Sequence, residues 1–179
     1  MISESILEGQ EVRLRPVLPA DLPRFTTWLA DAEVRRWLAA LDDPPTLEEE
    51  IEWYEETRAN PNNVLWAIET LDGQLVGTCE LRAAIKYSRG ELGISIHDKD
   101  QWNKGYGTDA VNLVLEYGFE DMELNRIDLT TDEDNVRGRR CYEKCGFVEE
   151  GTLRQHRFVE GRFGNTIMMS ILREDWQKS

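Results

Sequence analysis

Long apolar runs are missing from this chain: no stretch approaches the roughly 20 residues a helix needs to span a bilayer, and no membrane partner is expected. The N-terminal segment MISESILEGQEVRLRP has neither the apolar stretch nor the small-residue cleavage site of a signal peptide, so a cytoplasmic location is expected. Cysteine is scarce. Cys79, Cys141 and Cys145 are an odd set, two of them four apart in a helical pattern, which is neither a secreted disulfide framework nor a zinc spacing. Reduced thiols and no metal are expected, since no third and fourth ligand lies near in sequence. Positive charge is short as well. Lys and Arg number 21 against 35 Asp and Glu, a formal net charge of -14, and the mean field of such a chain repels nucleic acid and attracts cations. A nucleic-acid partner is not expected; the acidity serves either solubility or the attraction of a cationic substrate.

What is present reads as one domain over 1–179, because 179 residues with 40% hydrophobic side chains can furnish one continuous core without disulfides. EVRLRP alternates apolar and charged side chains, a first strand with Val12 and Leu14 facing inward. Leu22, Phe25, Trp28 and Leu29, then Val34, Trp37 and Leu38, recur at helical spacing, in two short helices broken near Asp31. After a loop at Asp42, Asp43, Pro44 and Pro45, Thr46 and Glu49 form a capping box at the head of a third, acidic helix. Past Asn60–Asn63 the period changes to two. VLWAIET and QLVGTCELRAAI flank the turn Leu71-Asp72-Gly73, and GELGISI over 90–96 makes the next strand. A helix with the apolar face Ala110, Val111, Val114, Leu115 and Gly118 follows, then the strand RIDLTT, the helix NVRGRRCYEKC and a hairpin turning at Glu160 and Gly161. The order is that of an α/β fold with a mixed sheet.

Two segments carry chemistry. Trp102-Asn103-Lys104-Gly105-Tyr106-Gly107-Thr108 joins an apolar strand to an amphipathic helix, and two glycines at such a turn leave main-chain N–H groups unshielded at the positive helix end. That suits a pyrophosphate. Neither the Gly-x-Gly-x-x-Gly pattern nor a P-loop Lys-Ser or Lys-Thr pair is present. The second segment runs from Asn135 to Phe147, in the form N-x-x-G-x-x-x-Y-x-K-x-G-F.

Together these segments resemble the two acetyl-CoA motifs of GNAT acetyltransferases. The likeness extends to VRLRPVLPADLPRF, LVGTCEL, KGYGTDAVNLVLEYGF and EEGTLRQHRFVEGRFGN, in the manner of the RimJ/RimL-type branch, with spermidine N-acetyltransferases the nearest pattern. The resemblance implies the GNAT (acyl-CoA N-acyltransferase) fold, a mixed, mostly antiparallel central sheet flanked by helices, and acetyl-CoA as cosubstrate. It implies that the main chain of Trp102, Asn103, Lys104, Gly105, Tyr106, Gly107 and Thr108 receives the pyrophosphate, and that Ile94, Ser95 and Ile96 pair with the pantetheine arm. Asn135 would fix the pantetheine or the strand splay, and Arg140 and Lys144 would join the cofactor site. Tyr142 would stand beside the thioester sulfur and protonate the departing thiolate, a phenol of pKa about 10 being matched to a thiol of similar basicity. The chain departs from the family pattern at Trp102, where Gln or Arg is usual, with Gln101 beside it and Lys104 near to supply charge. It departs again at Gly138, where Ala or Ser is common.

Attack on a thioester requires a neutral amine, so a base or a water path is needed. Glu80 and Glu91, on neighbouring strands, match acidic acceptor-site positions of polyamine acetylases: Glu91 is the expected base, directly or through water, and Glu80 the cation ligand. His97 is an alternative base or a lining residue. Trp28 and Glu33, among the carboxylates and aromatics of residues 20–60, are further acceptor contacts through charge and cation–π attraction. The expected function is direct acetyl transfer in a ternary complex to a primary amine, a polyamine ranking ahead of a protein N-terminus, and amino acids and aminoglycosides behind. Cys79 has nothing beside it to make it an acyl carrier. A non-catalytic acetyl-CoA sensor or a cofactor-free interaction module is the reading from another class, and a homo-oligomer is compatible with the branch.

Overall fold

The computed structural model describes residues 6–38, 43–159 and 161–176; Asp42 and Glu160, expected in a loop and a turn, lie outside them. Strands β1 (Leu7–Glu8), β2 (Val12–Pro16), β3 (Val64–Thr70), β4 (Leu75–Arg82), β5 (Arg89–Ile96), β6 (Arg126–Asp132), β7 (Val148–Val159) and β8 (Arg162–Leu172) form one sheet in the order β1-β2-β3-β4-β5-β6-β8-β7. The helices are α1 (Leu22–Leu29), α2 (Ala32–Arg35), α3 (Leu47–Ala59), α4 (Tyr106–Glu116), α5 (Val136–Lys144) and α6 (Arg173–Trp176), with a π turn over Tyr117–Asp121 continuing α4. No helix among the described residues is long and apolar enough to cross a membrane.

Alternation within β3 explains the layers. Val64, Trp66 and Ile68 project to one side of the sheet, where they pack with Ala110, Val111, Val114 and Leu115 of α4. Ala67 projects to the other and packs with Leu22 and Phe25 of α1 and Tyr54 of α3. A strand covered on both faces reads as nearly continuous apolar sequence, as VLWAI does. The break between α1 and α2 falls at Asp31, whose carboxylate caps α2 by accepting from the Glu33 N–H at 2.9 Å. At the head of α3 the capping box forms in both directions: the Glu49 N–H donates to Thr46 Oγ1 at 3.2 Å, and the Thr46 N–H donates to Glu49 Oε2 at 2.7 Å. The Thr46 N–H, and with it the Thr46 hydroxyl at 3.0 Å, donate to the Glu49 carboxylate and hold it below its usual pKa. Neither β1 nor α6 has a sequence signal of its own; both are too short for a period to register.

Every strand pair is antiparallel except β5–β6. That parallel pair is joined only where Arg89, Gly90 and Glu91 face Arg126, Ile127 and Asp128. Beyond it the strands part: β5 stays with β4 as far as Ile96, and β6 stays with β8 as far as Asp132. The resulting cleft leaves one edge of β5 without a strand partner over Leu92–Ile96.

Candidate active site

A cavity of about 1130 Å³ fills the cleft and runs under the helices of the opposite face. Its walls include Ile94, Ser95, Ile96, the whole loop from Trp102 to Thr108, and Asn135, Arg140, Tyr142 and Lys144 of the second motif. The open edge of β5 offers main-chain donors and acceptors to an extended, amide-containing chain, the same bonding that adds a strand to a sheet.

At the end of β5 the chain makes a short 3₁₀ turn over Lys99–Gln101 and enters the glycine loop. Asn103 and Gly105 have positive φ, 63° and 88°. Gly105 is the N-cap of α4 and makes no side-chain cap, so the first N–H groups of the helix are left for another acceptor. Left-handed residues alternating with right-handed ones turn successive N–H groups toward one side, an anion-binding concavity reinforced by the helix dipole. Lys104 lines this end and donates to Gln101 Oε1 at 2.7 Å.

Across the cleft, Asn135 caps α5, accepting from the Gly138 N–H at 3.0 Å and donating to Thr131 Oγ1 at 3.2 Å. Its amide thus ties the helix to the end of β6. Tyr142 is buried, with its ring 5.9 Å from that of Phe147. Burial, aided by the neighbouring Cys141 and Cys145 thiols, raises its pKa above the ordinary phenol range, so the hydroxyl keeps its proton at neutral pH. Cys141, in the wall, lies 3.5 Å from Thr108 Oγ1, and Cys145 donates to the Thr108 carbonyl at 3.6 Å; the interaction of the two thiols lowers the Cys141 pKa and raises that of Cys145.

The other half of the cavity lies on the α1 and α3 side. Thr78, Glu80 and Arg82 alternate along β4 and share a face with their partners Ser95, Gly93 and Glu91. The Glu80 carboxyl lies against Gly93, where a Cβ would come within 2.8 Å of Oε1. Burial raises the Glu80 pKa, Arg82 with its Nε at 3.4 Å opposes this, and Glu91 adds to it. Glu50 of α3, 6% exposed, also lines this half and has its pKa raised by burial and by Glu49. His97 is wrapped by Phe25 and Trp28, with ring centroids at 5.5 and 5.8 Å, and its Nε2 lies 3.3 Å from Thr78 Oγ1. Burial brings its pKa down to about 4, so the imidazole is neutral near pH 7.

Three residues expected at the acceptor end do not line the cavity. Glu91, expected as the base, lies one step farther along the strand pair and accepts from Arg82 Nη2 at 2.7 Å. Trp28 stands behind His97, with the Arg24 guanidinium 4.7 Å from its ring centroid. Glu33 is held by Lys99 at 3.1 Å, in an ion pair that Asp31 shares at 2.6 Å and that fastens α2 to the turn before the glycine loop. In the opposite sense, Arg137 is a wall residue with no role expected from the sequence, and Glu50 is one that the sequence offers only as a member of the acidic set over 20–60. For Glu50 the sequence carried no usable signal, as it is one of several glutamates in an acidic helix. For Arg137 there was one: a basic residue in the first turn of a helix, where the dipole disfavours it.

An acetyltransferase (GNAT) domain model matches residues 11–148, most of the chain. The chain belongs to the GNAT acetyltransferases. Its GNAT fold is shared with the spermidine N-acetyltransferase from Vibrio cholerae, solved in complex with CoA and spermine, at a TM-score of 0.83 and 26% identity over 93% of this chain and 98% of that one. The uncharacterized N-acetyltransferase YoaA of Bacillus subtilis is 30% identical over 173 residues, 94% of this chain and 97% of its own. An aminoglycoside N(6')-acetyltransferase type 1 of Klebsiella pneumoniae is 29% identical over 156 residues, 81% and 78% of the two chains. This GNAT protein is an acyl-CoA-dependent N-acetyltransferase acting on an amine. Its cavity fits that cosubstrate, having an uncapped helix end for phosphate and an open strand edge for the amides of the pantetheine arm.

Proposed function

We propose that this acetyltransferase acts on a small polycationic amine, with a polyamine as the first choice. The observation that carries this reading is a pair of carboxylates, the buried Glu50 and the part-buried Glu80, in the wall of the acceptor half. Desolvated carboxylates are costly without enough counter-charge; Arg82 Nε, 3.4 Å from Glu80, supplies part of it, and an ammonium group supplies more with strong charge-assisted bonds. Trp53, also in the wall, adds an apolar and aromatic face for the methylenes between ammonium groups. The Vibrio cholerae relative with spermine bound and the aminoglycoside-acetylating relative favour the same class, since both ligands are polyamines in the broad sense.

In this reading Glu80, rather than Glu91, receives the proton of the incoming ammonium group. Glu80, its pKa raised by burial, lines the cavity, whereas Glu91 lies outside it and is held by Arg82 Nη2 at 2.7 Å. When bound, acetyl-CoA supplies the acetyl group as an activated thioester. Tyr142, protonated because it is buried, holds a proton on the cofactor side of the cavity for the departing thiolate. His97 orders the wall as a neutral ring and takes no part in proton transfer. Asn103 to Thr108 receive the pyrophosphate, Ile94 to Ile96 the pantetheine amides, and Arg140 and Lys144 stand at the solvent rim of the same site.

The deciding experiment is release of free thiol from acetyl-CoA with spermidine, spermine, an aminoglycoside, free amino acids and basic N-terminal peptides as acceptors. Turnover confined to the polyamines supports the proposal. Turnover confined to amino acids or peptides overturns it, and CoA binding without turnover on any acceptor moves the reading to a sensor.

A further inference from the structure

Arg137 occupies the second position of α5, a place where the helix dipole opposes positive charge, and no acidic residue shares that first turn. Its guanidinium lies 3.6 Å from the ring centroid of Trp102, and both residues are in the cavity wall. Trp102 is held in turn, because its Nε1 donates to the Ile96 carbonyl at 2.7 Å. Of the neighbouring arginines, Arg139 binds Glu149 at 3.0 Å and Arg157 binds Asp132 at 3.4 Å, whereas the exposed Arg140 has no carboxylate partner among the described residues. Among the described residues Arg137 has no hydrogen bond or ion pair, although the chain carries 35 carboxylates. Burial lowers its pKa from the ordinary arginine value, and the nearest acidic influence, Glu33, is already committed to Lys99. A half-buried arginine that is stacked in place, set against a helix dipole and left without a counter-ion among the described residues of an acidic protein is arranged for an anion from outside the chain.

We infer that Arg137, stacked on Trp102, is a cofactor-binding residue that takes the pyrophosphate of the acyl-CoA beside the main-chain N–H groups of Asn103 to Thr108. Trp102 adjoins Asn103, the first residue of that loop with a positive φ, so the guanidinium above it borders the loop. Where the family pattern has a Gln or Arg in the loop itself, this chain has an indole, and the cationic contact comes from α5 across the cleft. The planar guanidinium presents paired donors to phosphate oxygens while its face stays on the ring, a geometry a lysine cannot reproduce. The inference rests on the reading of the cavity as an acyl-CoA site.

The test is calorimetric titration of CoA, dephospho-CoA and pantetheine into the wild type and the R137A, R137K, W102F and W102A variants, at low and high salt. R137A is expected to weaken CoA and dephospho-CoA equally, by roughly ten- to a hundredfold. It should also flatten their salt dependence and leave pantetheine unchanged. W102A should lose a comparable factor, W102F should keep most of the affinity, and R137K should recover only part. The apo R137A protein should melt at or above the wild-type temperature, since a charge opposing the dipole has been removed. Unchanged CoA affinity in R137A overturns the inference. So does a loss confined to CoA, which would point to the 3′-phosphate, and so does an equal loss for pantetheine or a lower Tm, either of which would mean a structural role. A wild type that binds none of the three compounds overturns the acyl-CoA reading and the role of Arg137 with it, whereas wild-type binding with an insensitive R137A overturns the role of Arg137 alone.

Discussion

The carboxyl of Glu80 lies across the strand pair on Gly93, in space that any other residue at 93 would begin to fill. The added Cβ of Gly93→Ala would stand 2.8 Å from Oε1 and 2.9 Å from Cγ of Glu80. The side chain must move by several tenths of an ångström or more, and displacement of a catalytic group on that scale costs up to roughly a hundredfold in rate. Gly93→Ala is therefore expected to lower kcat/KM for the amine by about ten- to a hundredfold while leaving CoA binding intact. Steady-state kinetics beside a CoA titration checks this, and an unchanged kcat/KM removes Glu80 from the acceptor site.

Glu80→Gln has two signatures. As general base, Glu80 should contribute on the order of 10²- to 10⁴-fold to kcat, and the acidic limb of the pH–rate profile should disappear with it. Stability should change in the opposite sense. The folded-state pKa lies above the unfolded value of 4.5, so the folded protein binds more protons and loses stability as pH rises from about 4.5 through the raised value. The Tm of Glu80→Gln should gain on the wild type over that window. A Tm difference that is flat with pH would mean the carboxyl is not desolvated.

Tyr142→Phe should lower kcat by roughly 10²- to 10⁴-fold with little change in the KM for acetyl-CoA. Because burial keeps the phenol protonated, the wild-type rate should show no alkaline loss assignable to Tyr142 below about pH 10. A fall in cofactor affinity matching the fall in rate would assign Tyr142 to binding instead of proton transfer.

His97 makes stability depend on pH in a different window. Its folded pKa of about 4 lies below the unfolded value of 6.5, so the unfolded chain binds more protons between them and stability falls as pH drops from about 6.5 toward 4. The full difference is of order 3 kcal/mol. His97→Gln should flatten the Tm profile in that range, and the imidazole of the wild type should show no NMR titration between pH 6 and 8.

Periodicity and capping made most of the architecture legible. The two-residue alternation of VLWAIET and QLVGTCELR, the Thr46–Glu49 capping box and the apolar stripe of Ala110, Val111, Val114 and Leu115 each express a local rule that tertiary structure left in force. The half of the cavity walled by the two motifs was legible for a similar reason: its parts, the glycine loop and the N-x-x-G-x-x-x-Y segment, are each contiguous in the chain. The acceptor half was not. Glu80 and Glu91 look equivalent as glutamates on adjacent strands, and only the register that sets Glu80 against Gly93 and Glu91 against Arg82 separates a part-buried carboxyl in the cavity wall from a more exposed one outside it.

The sequence by itself determined the order of elements, the position of the glycine turn and the acid-rich character of the helices before β3, since these depend on neighbours within a few residues. Only the tertiary structure decided which charges are used up and which are left over. Lys99 claims Glu33, Arg82 claims Glu91, and Arg137 comes to rest on Trp102, from a helix 35 positions farther along the chain. Ion pairing and desolvation act through space over a few ångströms, and the chain distance between partners carries no trace of them.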